Sequence, residues 1–350
     1  MMLENSKNFR HHGNLHGSPV ISIIIPVHNR LKPLKKCLES VFSQNYKNFE
    51  VIVVDDASTV DLKAIKNSYP VRYYRLAKNR GPGFARNFGV KHSRGEIVLF
   101  IDSDVLANKG LLKKIYTHFK INKDIVAVQG NYSLIPYFRN FFSFFKNITL
   151  YYHFKTFSKK YTNSIASFCT AVKRKEFLDS GGFDEKIRNA SIEDEEFGIK
   201  LTQEGHKILY DNELQVQHMK KFNLYSLVRQ DYRTGFDRIK SLLRTKNLFD
   251  KAGIKGSHSN FSLLASIPLS GLIILDLVLL LLFQSAILMN IMAVLLLTFI
   301  LINFRYFKFV LKTKNAGFLV LTFFFSILDN FAIQIGITFG LFDYIFKRKY

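Results

Sequence analysis

The sequence predicts an α/β fold, a doubly wound and mostly parallel sheet within residues 19–250, followed by transmembrane helices within 261–346. Three observations carry that expectation. Short β-branched runs alternate with segments of helical spacing, which is the pattern of parallel strands joined by crossover helices. Acidic pairs stand where two of those runs end. Beyond residue 260 the chain turns apolar for stretches of about 20 residues, the length a helix needs to cross a bilayer.

Ile21 to Ile25 is a β-branched run that Pro26 should end. Residues 31–45 follow with Leu34, Cys37, Leu38, Val41 and Phe42 on one helical face. A second strand, Glu50 to Val54, runs into Asp55-Asp56-Ala57-Ser58, and a helix over 60–68 and a strand over 71–76 come next. Gly81-Pro82-Gly83 permits a tight turn beside a ligand. The helix it opens, about 83–93, aims its first amides at an anion, with Arg86 in its first turn placed for a bidentate phosphate contact. Ile97 to Ile101 is continuously apolar, as a parallel strand covered on both faces reads, and it ends in Asp102-Ser103-Asp104. Ligands of open α/β sheets bind outside the carboxyl ends of the strands, so the acids at 55–56 and 102–104 should face one pocket. Carboxylates at i and i+2 can share a hard cation, and such an ion would bind a diphosphate.

Ile125 to Gly130 reads as a fifth strand. Residues 137–157 interleave aromatic rings with Arg139, Lys146 and Lys155, which suits a membrane interface, a platform for stacked bases or a buried core helix. A short helix over 173–180 stops at Gly181-Gly182, and Glu193-Asp194-Glu195-Glu196 crowd the first turn of the next, where the helix dipole favours negative charge. A hydroxyl attacking a metal-bound donor at the neighbouring acids needs a base, and Asp194 is the candidate. His218 ends a strand over 214–217, and 222–246 is a basic helical stretch in which Arg229 and Arg233 could close over a diphosphate.

Composition narrows the partners. Lys and Arg number 50 against 27 Asp and Glu, a net charge of +23, which favours anionic ligands or lipid. The basic residues concentrate beside apolar spans, so anionic membrane lipid explains them and nucleic acid is not expected. Neither a G-x-G-x-x-G turn after the first strand nor a phosphate-binding G-x-x-x-x-G-K-[ST] loop occurs. Cys37 and Cys169 have no metal or disulfide spacing and read as reduced thiols. Met1 to Ser18 lacks an apolar signal segment and reads as a polar, mobile tail, its His11, His12 and His16 solvated.

With these residues in place, the chain resembles a family 2 glycosyltransferase with the GT-A fold over about 20–240. The likeness rests on ordered signatures: Ile23-Ile24-Ile25-Pro26-Val27-His28-Asn29, Val53-Val54-Asp55-Asp56-Ala57-Ser58, Gly83-Phe84-Ala85-Arg86-Asn87, Phe100-Ile101-Asp102-Ser103-Asp104, Gly181-Gly182-Phe183-Asp184-Glu185 and Glu193-Asp194. The resemblance implies a nucleotide-sugar donor, Mg²⁺ or Mn²⁺, and an inverting, single in-line displacement with Asp194 as base. It places Pro26, Asp55 and Asp56 around the base and ribose, and Gly83, Arg86, Asn87, Asp102 and Glu193 along the rest of the donor. Asp102, Asp104 and His218 would hold the metal. The Gln-x-x-Arg-Trp signature of processive polymer synthases is missing, since Arg229-Gln230-Asp231-Tyr232-Arg233 has no Trp, which favours transfer of a single sugar. The acceptor would be lipid-linked or a saccharide near the membrane. The alternative is a membrane-attached nucleotide-sugar or lipid-binding protein of the same fold, without turnover.

Phe261 to Phe283 is apolar except for Asp276, and Ser285 to Asn303 carries no charge, so the two should form a hairpin turning at Gln284 and Ser285. Basic residues flank the hairpin on both sides, which predicts cytoplasmic flanks, a multi-pass membrane protein and a cytoplasmic catalytic domain. The third run, Ala316 to Phe346, exceeds one straight span and holds Asp329, Asn330 and Gln334; a single crossing and a kinked re-entrant path both fit it. Asp329 should face protein or water, because a bare carboxylate in lipid is costly.

Overall fold

A computed structural model describes residues 19–156, 160–187, 192–244 and 261–347. The expected tail over 1–18 with its three histidines, Phe157, the basic stretch from 245 onward with Lys246, and Arg348 and Lys349 lie outside the described residues. In order, the elements are β1 (Ile21–Val27), α1 (Leu31–Phe42), β2 (Phe49–Asp55), α2 (Ile65–Ser68), β3 (Arg72–Arg75), α3 (Pro82–Lys91), β4 (Ile97–Ile101), β5 (Val105–Ala107), α4 (Leu111–Ile121), β6 (Ile125–Tyr132), α5 (Phe141–Thr156), β7 (Tyr161–Thr162), β8 (Cys169–Lys173), α6 (Arg174–Asp179), α7 (Glu193–Gln203) and β9 (Lys207–His218). The helices α8 (Leu224–Arg244), α9 (Phe261–Phe283), α10 (Ala286–Ile302), α11 (Phe304–Thr313) and α12 (Ala316–Lys347) complete the chain.

Contacts divide the chain into two compact units. The first holds the described residues up to Asn131 together with Ile165–Met219, and the second holds Tyr132–Ser164 and the described residues from Lys220 onward. The division therefore falls earlier than residue 250, because α5 and α8 bury their apolar faces among the C-terminal helices.

In the first unit the sheet order is β3-β2-β1-β4-β8-β6-β9-β5. From β3 to β4 the strands are parallel, and Val27 stands opposite Asp55 while Ile24 stands opposite Phe100, so the carboxyl ends of β1, β2 and β4 lie on one edge. β1 continues past Pro26 to Val27; its pairing with β4 stops at Ile24, before the residue that has no N–H to give. The other half is antiparallel. β8 enters between β4 and β6 and runs against both, so the strand read at 125–130 is not the next member of a parallel set. The helix read at 173–180 begins at Arg174, where β8 ends. Ile24, Val54, Phe100, Phe177, Phe183 and Phe197 share the core, and burying each such side chain contributes about 1.5–3 kcal/mol. A Cβ on Gly89 of α3 would come within 2.5 Å of Ile24 Cγ2, which is why this helix lies so close on the sheet.

In the second unit the aromatic stretch is a core helix. Phe144, Ile148 and Tyr152 of α5 pack with Phe299, Tyr306, Phe307 and Val310. α9 and α12 are each long and apolar enough to cross a membrane, over Ser262–Phe283 and Ala316–Phe346. The second apolar run departs from the expected independent span. α10 stops after 17 residues and bends by 67° at Asn303 into α11, so the pair counts as at most one broken crossing. Gln284, at a φ of 46°, makes the expected tight turn between α9 and α10. α12 is one unbroken helix. Its Asp329 is buried within the unit, 4.0 Å from Lys146 Nζ, which is itself paired with Asp231.

Glycines let α8 and α12 meet backbone to backbone. A Cβ on Gly336 would stand 2.0 Å from Tyr232 O and 2.9 Å from Phe236 N, contacts that no rotamer can relieve. Gly336→Leu is expected to force the helices apart and cost at least about 1–3 kcal/mol, read as a lowered melting temperature of the detergent-solubilised protein. Gly317→Leu, whose nearest neighbour would be Asn315 Oδ1 at 3.7 Å, should leave that temperature in place.

Candidate active site

The site forms where β1, β2, β4, α7 and β9 bring polar residues to the carboxyl edge of the sheet in the first unit. After β1, Asn29 takes a left-handed φ of 57°. Its Oδ1 accepts from the backbone N–H of Thr59 at 2.7 Å and of Val60 at 3.3 Å, clasping the β1 and β2 loops together. His28 Nδ1 donates to Asp56 O at 2.8 Å. Asp55 is fully buried: Oδ1 accepts from Ser58 N at 2.8 Å and Oδ2 from the Tyr73 hydroxyl at 2.6 Å. Asp56 accepts from Arg80 N at 2.8 Å and Gly81 N at 2.9 Å, which fixes the turn into α3. Both carboxylates are thus tied to the protein, and they fix the loop after β2 and the turn into α3. Pro26 is buried inside β1, and Gly83 lies buried in the first turn of α3.

Arg86 is the electrostatic centre. Its side chain is buried, with Nη2 2.8 Å from Asp102 Oδ1 and Nη1 2.9 Å from Glu193 Oε1. Burial opposes its charge, but the two carboxylates more than offset this, and its pKa lies above the usual arginine value. The bidentate phosphate contact read from the sequence is therefore replaced by a contact with two acids, since a buried guanidinium takes the nearest anions that desolvation leaves it. Asn87 likewise points inward. It donates to Phe183 O at 2.8 Å and accepts from Phe183 N at 3.0 Å, standing in for a missing strand neighbour rather than lining a donor site.

Asp194 follows Glu193 and is half-buried. Its Oδ2 accepts from both Ser167 N and Ser167 Oγ at 2.8 Å, and Oδ1 from Glu195 N at 2.9 Å. Desolvation first, then the Glu193 charge, push its pKa up to about 7, against the opposing pull of Arg86 and Ser167.

Asp104, 6% exposed, is held by Arg30. Its Oδ2 lies 3.8 Å from His218 Nε2, because β5 pairs with the end of β9 and sets Val105 opposite His218. Among the described residues no three His, Cys, Asp or Glu side chains gather as a metal cluster. The trio read from the sequence is thus reduced to two, since Arg86 draws Asp102 away while Asp104 turns to Arg30 and His218. That pair still fits a divalent ion, because Mg²⁺-type ions keep water and substrate phosphate in most positions and take only one or two protein ligands. Cys37, whose thiol lies 3.6 Å from Asp102 O, is buried, and desolvation followed by the charges of Asp104 and Asp102 raises its pKa, so it stays a neutral thiol. Cys169 is also free and buried. Arg229 and Arg233 are exposed on α8 in the second unit.

Arg30 and Ser167 join the site without having been singled out in the sequence, and Asn29 had entered only as the last residue of the first signature. Arg30 had one available signal, a cation directly after the loop that ends β1. Ser167 had none, since its partner lies 27 residues away.

Residues 22–182 match the profile described as Glycosyl transferase family 2. An uncharacterized glycosyltransferase of Rickettsia felis is 42% identical over 93 residues, 25% of this chain and 15% of that one. Glycosyltransferase GlyG of Streptococcus pneumoniae is 32% identical over 120 residues, 33% of this chain and 40% of that one. The chain thus spans less than half the length of either relative. Among solved structures, the mannosyltransferase PcManGT from Pyrobaculum calidifontis, in complex with GDP-Man and Mn²⁺, is similar with a TM-score of 0.54 at 15% identity, covering 95% of this chain and 89% of that one, which is a likeness of fold. Sheet topology, strand-end motifs and profile agree: over residues 22–182 the chain matches glycosyltransferase family 2, and its fold is the GT-A fold.

Proposed function

We propose that this protein is an inverting, metal-dependent glycosyltransferase that moves one sugar from a nucleoside-diphosphate donor to a lipid-linked or membrane-proximal acceptor. The observation that carries this reading is the Arg86 centre. One buried guanidinium ties Asp102, just past β4, to Glu193 at the start of α7, and so brings Asp194 to the edge where Asp104 and His218 stand. Asp104 and His218 would hold Mg²⁺ or Mn²⁺, which supplies positive charge opposite the leaving diphosphate. The loops after β1 and β2, fixed by Asn29, Asp55 and Asp56, would receive the nucleoside.

Asp194 takes the proton of the acceptor hydroxyl as its oxygen bonds to the anomeric carbon and the bond from that carbon to the diphosphate oxygen breaks. A carboxylate with a pKa near 7 is a stronger base than an ordinary aspartate and is still half ionised at neutral pH. Membrane association follows from α9 and α12, and the basic residues of α8 and α11 favour a cytoplasmic catalytic unit in contact with anionic lipid.

Membranes containing the protein should release nucleoside diphosphate from one member of a nucleotide-sugar panel when Mn²⁺ is present, and EDTA or Asp104→Ala should bring release to background. Release that persists in Asp104→Ala removes the metal-dependent reading.

A further inference from the structure

Asp194 is held unevenly at its two oxygens. Ser167, 3% exposed, gives both its backbone N–H and its hydroxyl to the same oxygen, Oδ2, at 2.8 Å each. With two donors that oxygen is saturated, whereas among the described residues Oδ1 accepts only from Glu195 N, at 2.9 Å, and keeps a lone pair. The turn that presents Ser167 is itself anchored. Gln129 of β6, fully buried, accepts from Ala166 N at 2.6 Å and donates to Gly130 O at 2.8 Å and Cys169 O at 3.3 Å. A glutamine in the middle of the sheet therefore fixes the backbone on both sides of Ser167, at Ala166 and at Cys169.

We infer that Ser167 is a positioning residue for the base: it fixes the carboxylate through Oδ2 and leaves Oδ1 as the atom that receives the acceptor's proton. This rests on Asp194 being the base. The charged groups that face Asp194 are Glu193, its neighbour on α7, which disfavours ionisation, and Arg86 of α3, which favours it while balanced by Asp102. The Ser167 hydroxyl adds to the favouring side, because a donor stabilises the ionised carboxylate.

The test follows the Asp194 carboxyl carbon by ¹³C NMR in the full-length, ¹³C-aspartate-labelled protein in detergent, its signal assigned by loss in Asp194→Asn. Ser167→Ala keeps the backbone donor and removes the hydroxyl, so the midpoint should rise by about one pH unit. Ser167→Thr, which keeps a hydroxyl, should titrate as the wild type does, and Ser167→Cys, with a weaker donor, should give a smaller rise. In parallel, turnover of the best substrate from a panel of UDP- and GDP-sugars with Mn²⁺ should fall about fivefold at pH 7 in Ser167→Ala, the loss of ionised base that such a rise entails, with KM for the donor unchanged. An unmoved or lowered midpoint in Ser167→Ala overturns the inference. Should Asp194→Asn keep full turnover, the base assignment falls and the inference with it; should Asp194→Asn be inactive while the Ser167→Ala profile stays in place, the positioning role alone falls.

Discussion

Asp194→Asn is expected to lower turnover by about 10²–10⁴-fold while changing donor affinity little, because general-base contributions are of that size and the amide occupies the same volume. The variant can still accept from Ser167 N and Oγ through its carbonyl oxygen, so the turn at 166–168 should stay in place. What it loses is the lone pair that takes the proton. The pH profile separates this from a folding defect. With a carboxyl pKa of about 7, the wild-type base is protonated and idle below that pH and ionised above it, so the rate should climb with pH through about 7 and then level. The Asn variant should show no such rise. Initial rates of nucleoside diphosphate release across that interval, with donor binding by calorimetry, make the measurement. A flat wild-type profile, or an Asn variant with near-wild-type rate, would take the base role from Asp194.

The parallel half of the fold is legible in the sequence because each of its strands announces itself locally. Ile21–Val27, Phe49–Asp55 and Ile97–Ile101 are β-rich, short and buried on both faces, and each runs straight into polar or acidic residues. β8 has no such signature. Cys169-Thr170-Ala171-Val172-Lys173 mixes polarity, and only its pairing with β4 and β6 makes it a strand. The aromatic stretch over 137–157 was open for a related reason: rings that suit a bilayer interface also suit a core, and only the arrival of α11 and α12 decides between them.

At the site, spacing was a good guide to which residues arrive and a poor one to what they touch. Asp102 and Asp104 do stand together past β4, but one turns to Arg86 and the other to Arg30 and His218. Asp55, Asp56 and Asn87 occupy the expected edge with their polar atoms committed to backbone groups and, for Asp55, to the Tyr73 hydroxyl. Choices of that kind depend on partners far apart in sequence. Glu193 is 107 residues from the arginine it neutralises, a distance over which no local pattern speaks.

Arg86→Met is expected to cost about 3–5 kcal/mol of stability in the first unit, because it strips a buried ion pair of its cation. The two acids should respond differently. The Asp102 side chain is 33% exposed and can hydrate when released, whereas that of Glu193 is 3% exposed and cannot. Most of the loss should therefore come from Glu193, deprived of its guanidinium partner and unable to hydrate, next to Asp194, whose ionisation it already disfavours. It follows that the double variant Arg86→Met/Glu193→Gln should recover much of the stability, while Arg86→Met/Asp102→Asn should recover little. Thermal unfolding of the three variants in detergent, followed by circular dichroism, reads this directly; for a unit of this size the single variant should melt roughly 6–20 °C below the wild type. Equal recovery from the Glu193 and Asp102 partners would mean that exposure does not set the cost, and a single variant as stable as the wild type would mean that Arg86 is not the clasp between β4 and α7.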